Sequence, residues 1–266
     1  RRLLASGRPH ALLPARAGAP SEGRGGSTMA PPTARADGRD SNQMRPPHLE
    51  LRPLLRADGS ARFSLGRSVA VAAVQGPRET KSRVKEVGDR ATLEVVVRPR
   101  VGLPGLAERQ LECHLLRQLD HIVLHQEYPR AQIVVVVQIV SEDGSVGAVA
   151  GNAAFLALLD AGVAMRATTL SVSVGVHLGG EAALPGAAVL LLDPTAKEET
   201  DCDAVVTICV DGTREQLISC LSSGMALDAV AWTNCVSAGG KAAKVLEAFL
   251  RMSLQKRLET FLRVPT

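Results

Sequence analysis

Residues 131–167 read AQIVVVVQIVSEDGSVGAVAGNAAFLALLDAGVAMRA. The opening run, Ala131–Val140, is almost wholly β-branched and apolar, which predicts a central strand in a sheet covered on both faces. Asp143-Gly144 is a turn signal. From Ala148 to Asp160 small residues dominate, among them Ala148, Ala150, Gly151, Ala153, Ala154 and Ala157. Small side chains let a helix backbone lie close against its sheet, so a buried helix is predicted there.

Upstream of this unit, Leu111, Leu115, Leu119 and Ile122 recur at three- and four-residue spacing and predict a helix over Leu106–His125, closed by Tyr128-Pro129. Ala61–Leu65 and Ser68–Val74 read as strands about a hairpin at Gly66. A turn-rich lead-in, Glu50–Ser60, precedes them, and a polar segment, Gln75–Arg90, follows. Ala91–Val97 reads as a strand ended by Pro99, Gly102, Pro104 and Gly105. Downstream, Leu170–His177, Ala187–Leu192, Ala204–Val210 and Gln216–Leu221 read as strands, with Ala187–Leu192 buried. Leu227–Leu262 reads as a helix interrupted at Gly239-Gly240, with Leu246, Leu250, Leu254 and Leu258 on its packed face. The order is β-β-β-α-β-α, then four strands, then α. That is an α+β fold, without the strict alternation of a doubly wound sheet and without a glycine-rich nucleotide loop.

The chain has 266 residues and a net charge of +4. Residues 1–43 alone hold seven arginines, no lysine and three acids, leaving 24 basic and 24 acidic residues in the remainder. Overall basicity therefore says nothing about nucleic-acid binding by the folded part, and any such contact must come from a local patch. Residues 1–43 read as a disordered leader or a gene-assignment artefact, with an organelle transit peptide as a further reading. Residues 44–266 read as the folded domain, with Met29 and Met44 as candidate starts. The five cysteines (Cys113, Cys202, Cys209, Cys220, Cys235) form no CxxC pair, which argues against a disulfide scaffold or zinc knuckle and fits a reducing intracellular setting. Apolar runs such as Ile133–Val137 and Ala187–Leu192 are too short to span a membrane.

Three stretches carry a resemblance: Phe63–Val74, LEVVVRPRVGLPG at Leu93–Gly105, and Val140–Arg166. It tightens at LDAGVAMRA, Leu159–Ala167, and at LLLDPTAKEE, Leu190–Glu199. The chain resembles the RNase PH family over roughly residues 50–260, and within it the ring subunits of the eukaryotic RNA exosome. The resemblance implies a ribosomal-protein-S5-domain-2-like α+β fold. It also implies a six-membered ring around an RNA channel, cap subunits with S1 or KH domains, and degradative chemistry in separate associated hydrolytic nucleases. Nuclear, nucleolar and cytoplasmic location is implied on the same ground.

Phosphorolysis needs a phosphate held by cations and backbone amides beside the RNA 3′ end. In active members of the family a Gly-Thr-Arg sequence before the small-residue helix is the phosphate signature. The matching positions here are Gly144, Ser145 and Val146. Valine offers neither charge nor donor, so this site reads as a remnant. The family places catalytic or metal-binding acids near Asp193, and Glu198, Glu199, Asp201 and Asp203 follow it. Asp193, Glu198, Asp201 and Asp203 are the candidate catalytic residues, able to hold Mg²⁺ if the chain is active. The alternative is a solvated, acid-rich loop.

Arg78, Lys81, Arg83, Lys85 and Arg90 fall in one polar segment, and Arg98 and Arg100 follow the next strand. Such residues can meet the phosphates of single-stranded RNA or line a channel without reading sequence. Only six aromatic residues occur in the chain, which argues against a base-stacking platform. His114, His121 and His125 fall near one face of the first helix, either a zinc-binding stripe or a face toward water or a partner. Three functions remain: a non-catalytic ring subunit with no cofactor that guides RNA, a divergent metal-dependent or phosphorolytic nuclease, or a protein scaffold without RNA contact.

Overall fold

The structure is a computed structural model that describes Arg35 and residues 37–79, 86–178, 188–214 and 216–262. Four strands open the domain: β1 (Pro47–Leu51), β2 (Gly59–Leu65), β3 (Ser68–Glu79) and β4 (Thr92–Arg98). Then come α1 (Leu106–Ile122), β5 (Ala131–Ser141) and α2 (Val146–Asp160). The second half holds β6 (Thr169–Leu178), β7 (Ala188–Leu192), α3 (Ala196–Asp201), β8 (Ala204–Asp211), β9 (Leu217–Gly224) and α4 (Ala229–Leu262). Two sheets result, ordered β1-β2-β3-β5-β4 and β7-β6-β8-β9.

The quoted stretch organises both. β5 pairs antiparallel with β3 and parallel with β4. Helix α2 then packs against β2 and β3 of the first sheet and β6 of the second. Every residue from Ala148 to Leu158 is buried. A helix walled in on both sides has no polar face to spare, which explains its run of alanines. Its one amide side chain is satisfied inside the core: Asn152 donates to the Ser171 carbonyl and accepts from the Ser171 N–H, both at 2.9 Å. Gln118 of α1 joins the same interior, donating to Thr169 Oγ1 and accepting from Ser171 Oγ, both at 3.2 Å.

Five expectations change. β5 is covered on one face: Ile133, Val135 and Val137 are fully buried, while Val134 and Val136 are half-buried and Val140 is 44 % exposed. A run apolar on both faces gives the same pattern whether the second face meets a helix or is left open. A strand not expected, β1, stands ahead of the lead-in and overlaps it only at Glu50 and Leu51; its alternating PHLEL was too short to stand out. β7 is an edge strand and only half-buried at Ala188–Leu190. The segment after Asp193-Pro194 holds the short helix α3, capped by Thr195, whose hydroxyl accepts from the Glu198 N–H. Finally, α4 runs through Gly239-Gly240 unbroken. A side chain at Gly239 would come within 2.9 Å of Ile208 Cδ1, so glycine there allows close packing on β8. Along the leucine stripe Leu246 and Leu250 are buried, but Leu258 is 64 % exposed beyond the sheet.

Candidate functional site

The head of α2 is where the resemblance puts the phosphate signature, and its geometry follows from a tight turn. Gly144 has φ +78°, and a Cβ there would collide with the Pro194 carbonyl. Ser145 also sits in the left-handed region, at φ 55°, and is buried. Its Oγ donates to the Pro194 carbonyl at 3.0 Å, and its N–H donates to Glu199 Oε1 at 2.7 Å. The Ser145 amide is therefore already bound to a carboxylate. Burial pushes the Glu199 carboxyl upward, against the pull of the Ser145 N–H and Arg45.

Val146 lies at the mouth, in a cleft of about 560 Å³. Glu108, Glu142 and Glu199 line it together with Ser173, Thr207 and Ser223, and no basic side chain is among the lining residues. Glu108 caps α1 by accepting the Gly105 N–H at 2.7 Å. The cleft can offer hydroxyls and carboxylates. It repels a phosphate dianion.

Asp193 is 1 % exposed and held by Arg45: Nε to Oδ2 at 2.7 Å, Nη2 to Oδ1 at 2.6 Å, with the Arg45 N–H also on Oδ2 at 2.9 Å. Glu198 receives Arg35 through Nε and Nη2, both at 2.8 Å. The hydrogen bonds from Arg35 are the main cause holding its carboxyl down at about 2. Asp203 Oδ2 accepts the Leu178 N–H at 2.7 Å. Asp201 is exposed at the end of α3. Among the described residues no group of three or more His, Cys, Asp or Glu side chains could hold a metal ion. With Asp193 and Glu198 each spent on an arginine, these residues do not fit Mg²⁺.

The arginines were the part that sequence reasoning missed. Arg35 and Arg39 fall in the stretch assigned to the leader, yet Arg35 is buried and its guanidinium also reaches the Leu192 and Asp193 carbonyls at 2.8 and 2.9 Å. The Leu192 N–H donates to the Ser41 carbonyl at 2.8 Å, so residues 41–45 are laced to the end of β7. One signal pointed there. The acids of 193–203 have only Lys197 as a local counter-charge, so buried members needed cations from elsewhere.

The basic patch divides. Arg78 lies on β3 opposite Gln132, which pairs with Thr92 at the start of β4. Arg98 ends β4, about 20 Å away along the strand, and Arg100 lies just past it. Lys81, Arg83 and Lys85 lie outside the described residues. The histidine stripe also dissolves: His114 is buried, His121 is exposed, and His125 stands in a 3-10 turn after α1 has ended. The five cysteines are free. Among the described residues no helix is long and apolar enough to cross a membrane.

Comparison with known proteins gives one direction. The 3′ exoribonuclease family (RNase PH) matches with its domain 1 over residues 43–164 and its domain 2 over 168–230. The junction falls between α2 and β6, where the chain passes from the first sheet to the second. The "Exosome complex exonuclease RRP46 homolog" of Oryza sativa subsp. japonica is 30 % identical over 240 residues, 84 % of this chain and 97 % of that protein. The crystal structure of rice Rrp46 superposes with a TM-score of 0.76 at 31 % identity, covering 83 % of this chain and all of that one. The "Exosome complex component Rrp41" of Pyrobaculum neutrophilum is 38 % identical over 151 residues, 53 % of this chain and 61 % of that protein.

Proposed function

The chain belongs to the RNase PH family, as an exosome ring subunit of the RRP46/Rrp41-like type, and on that premise we propose that it is a non-catalytic member of the ring. It supports assembly and passes single-stranded RNA toward associated hydrolytic nucleases for 3′–5′ processing and decay. One observation carries the reading: Glu199 Oε1 holds the Ser145 N–H at 2.7 Å, so a carboxylate of the chain itself fills the place of the phosphate. Val146 and the glutamates of the same cleft act in the same direction. Phosphate would have to displace a charge-assisted hydrogen bond and enter beside three acids.

Assembly has a surface to use. Val69, Val71, Val134 and Val136 lie half-buried on the face of the first sheet opposite α2, with Val140 exposed beside them. Apolar area of this kind drives association when another subunit covers it. The partners on this reading are other RNase PH-like ring subunits and S1/KH cap subunits, and the places of action are nucleus, nucleolus and cytoplasm.

The test is a decay assay on the folded full-length chain with 3′-labelled single-stranded RNA, with and without phosphate and with and without Mg²⁺. No product is expected under any condition. Nucleoside diphosphates formed only with phosphate would overturn the reading of Val146 and Glu199. Cleavage that needs only metal would establish the divergent nuclease instead.

A further inference from the structure

A second cleft, of about 760 Å³, lies at the other end of α1. Three arginines from three separate segments meet at it: Arg90 before β4, Arg117 on α1 and Arg166 after α2. All three side chains are exposed, and none makes a hydrogen bond or ion pair to the described residues. Their backbones are nonetheless fixed. The Arg166 N–H donates to the Ile122 carbonyl at 2.8 Å, and the Ala91 N–H next to Arg90 donates to the His125 carbonyl at 2.9 Å. Between the arginines the wall is apolar, with Leu93, Leu116 and Leu124. Two carboxylates stand on the rim, and one of them, Asp120, lies 3.1 Å from His125 Nε2.

Free guanidinium groups around an apolar wall match phosphates flanked by sugar and base. An Arg plane can also stack on a base, which suits a chain with so few aromatic side chains. Position favours a strand of RNA over an acidic protein segment. Thr92 lines the cleft and stands in register with Gln132 and, beyond it, Arg78, so a basic residue continues the row across the sheet end. Arg90 itself closes the segment that begins at Arg78, in which five basic residues stand among Glu79, Glu86 and Asp89.

We infer that the cleft bounded by Arg90, Arg117 and Arg166 seats the phosphates of single-stranded RNA. It gives the proposed RNA-guiding role a place on the chain and rests on that role. The acidic cleft at the head of α2 takes no part in it.

The experiment is an anisotropy titration of the full-length chain with a fluorescein-labelled oligouridylate over a range of KCl concentrations. Arg117→Glu combined with Arg166→Glu is expected to weaken binding about tenfold or more. The slope of log affinity against log salt should shrink by about 1.4, since each phosphate contact on a single strand contributes about 0.7. Arg117→Lys with Arg166→Lys should restore most of the slope, because a phosphate contact needs charge more than geometry. Arg109→Glu, a single charge reversal near the first turn of α1, should cost far less than half of that effect. Unchanged affinity and slope in the double glutamate variant, with its thermal midpoint kept, would overturn the inference. So would a poly-glutamate peptide binding the wild-type chain more tightly than the oligouridylate, which would assign the cleft to an acidic protein segment. The two readings fail separately. Product in the decay assay removes the non-catalytic role and leaves the cleft, while an unaffected double variant removes the cleft and leaves that role.

Discussion

Helix α1 has a cleft at each end, about 20 Å apart, and the two are built oppositely. At its first turn Glu108 joins Glu142 and Glu199 in a space without a basic side chain. At its last turns Arg117 joins Arg90 and Arg166, which have no acid of their own to hold among the described residues. In the acidic cleft the neighbouring charges are consumed by the fold: Arg45 on Asp193, Arg35 on Glu198, the Ser145 N–H on Glu199. In the basic one the cations are left over. A group already paired and buried stabilises the chain, while a solvated, unpaired one is free to meet a ligand. The difference explains why the head of α2 reads here as structure.

If the acidic end is structural, cutting its central ion pair should have the largest effect. Arg45→Ala leaves the buried Asp193 carboxylate with only Arg39, whose Nη1 lies 3.6 Å from Oδ2, and should lower unfolding free energy by about 3 kcal/mol in a urea titration. A loss below about 1 kcal/mol would mean that the pair is not structural. Arg35→Ala should cost less, about 1.5–3 kcal/mol, because Glu198 keeps the Thr195 N–H and some water. The Glu198 carboxyl is held at about 2, below its usual 4.5, so its contribution is fully present above pH 4.5. It is lost as pH falls through about 2, and the gap between wild type and Glu198→Gln should close over that window.

A third prediction sharpens the comparison by converting one end. Val146→Arg alone should not give phosphate-dependent stability, because Glu199 still holds the Ser145 N–H. Val146→Arg with Glu199→Gln should gain about 1.4 kcal/mol at phosphate ten times above its Kd, seen as a rise in Tm. A gain in the single variant would show that Glu199 is not the block.

The smallest effect concerns the middle of the helix. His114 is buried with its Nε2 unpaired among the described residues, and burial, with Arg117 nearby, holds its pKa below 6.5. A group kept neutral by the fold stabilises above the unfolded pKa and less as pH drops below it. Stability should decline below pH 6.5 in wild type, and the decline should flatten in His114→Gln.

Much of this could be read from the chain alone. The strand, turn and small-residue helix of 131–160 set the two-sided burial of α2, because composition and period are local properties. That position 146 carries no cation was legible from residue type alone. The open face of β5 was not legible, since a valine run reads the same whether its second face is covered or bare. Nor was the continuity of α4 past Gly239, which depends on how close Ile208 stands.

Pairing across the chain was out of reach for the same reason. The sequence determined the α+β class, the buried helix, the turn at Asp143-Gly144 and the inventory of acids and arginines, all of which follow from short-range pattern. Only the tertiary structure decided that Arg45 would meet Asp193, that Arg35 would meet Glu198, and that Arg90, Arg117 and Arg166 would stand together at one cleft. Each joins residues far apart in the chain, and charge counts say how many partners exist without saying which of them come within reach.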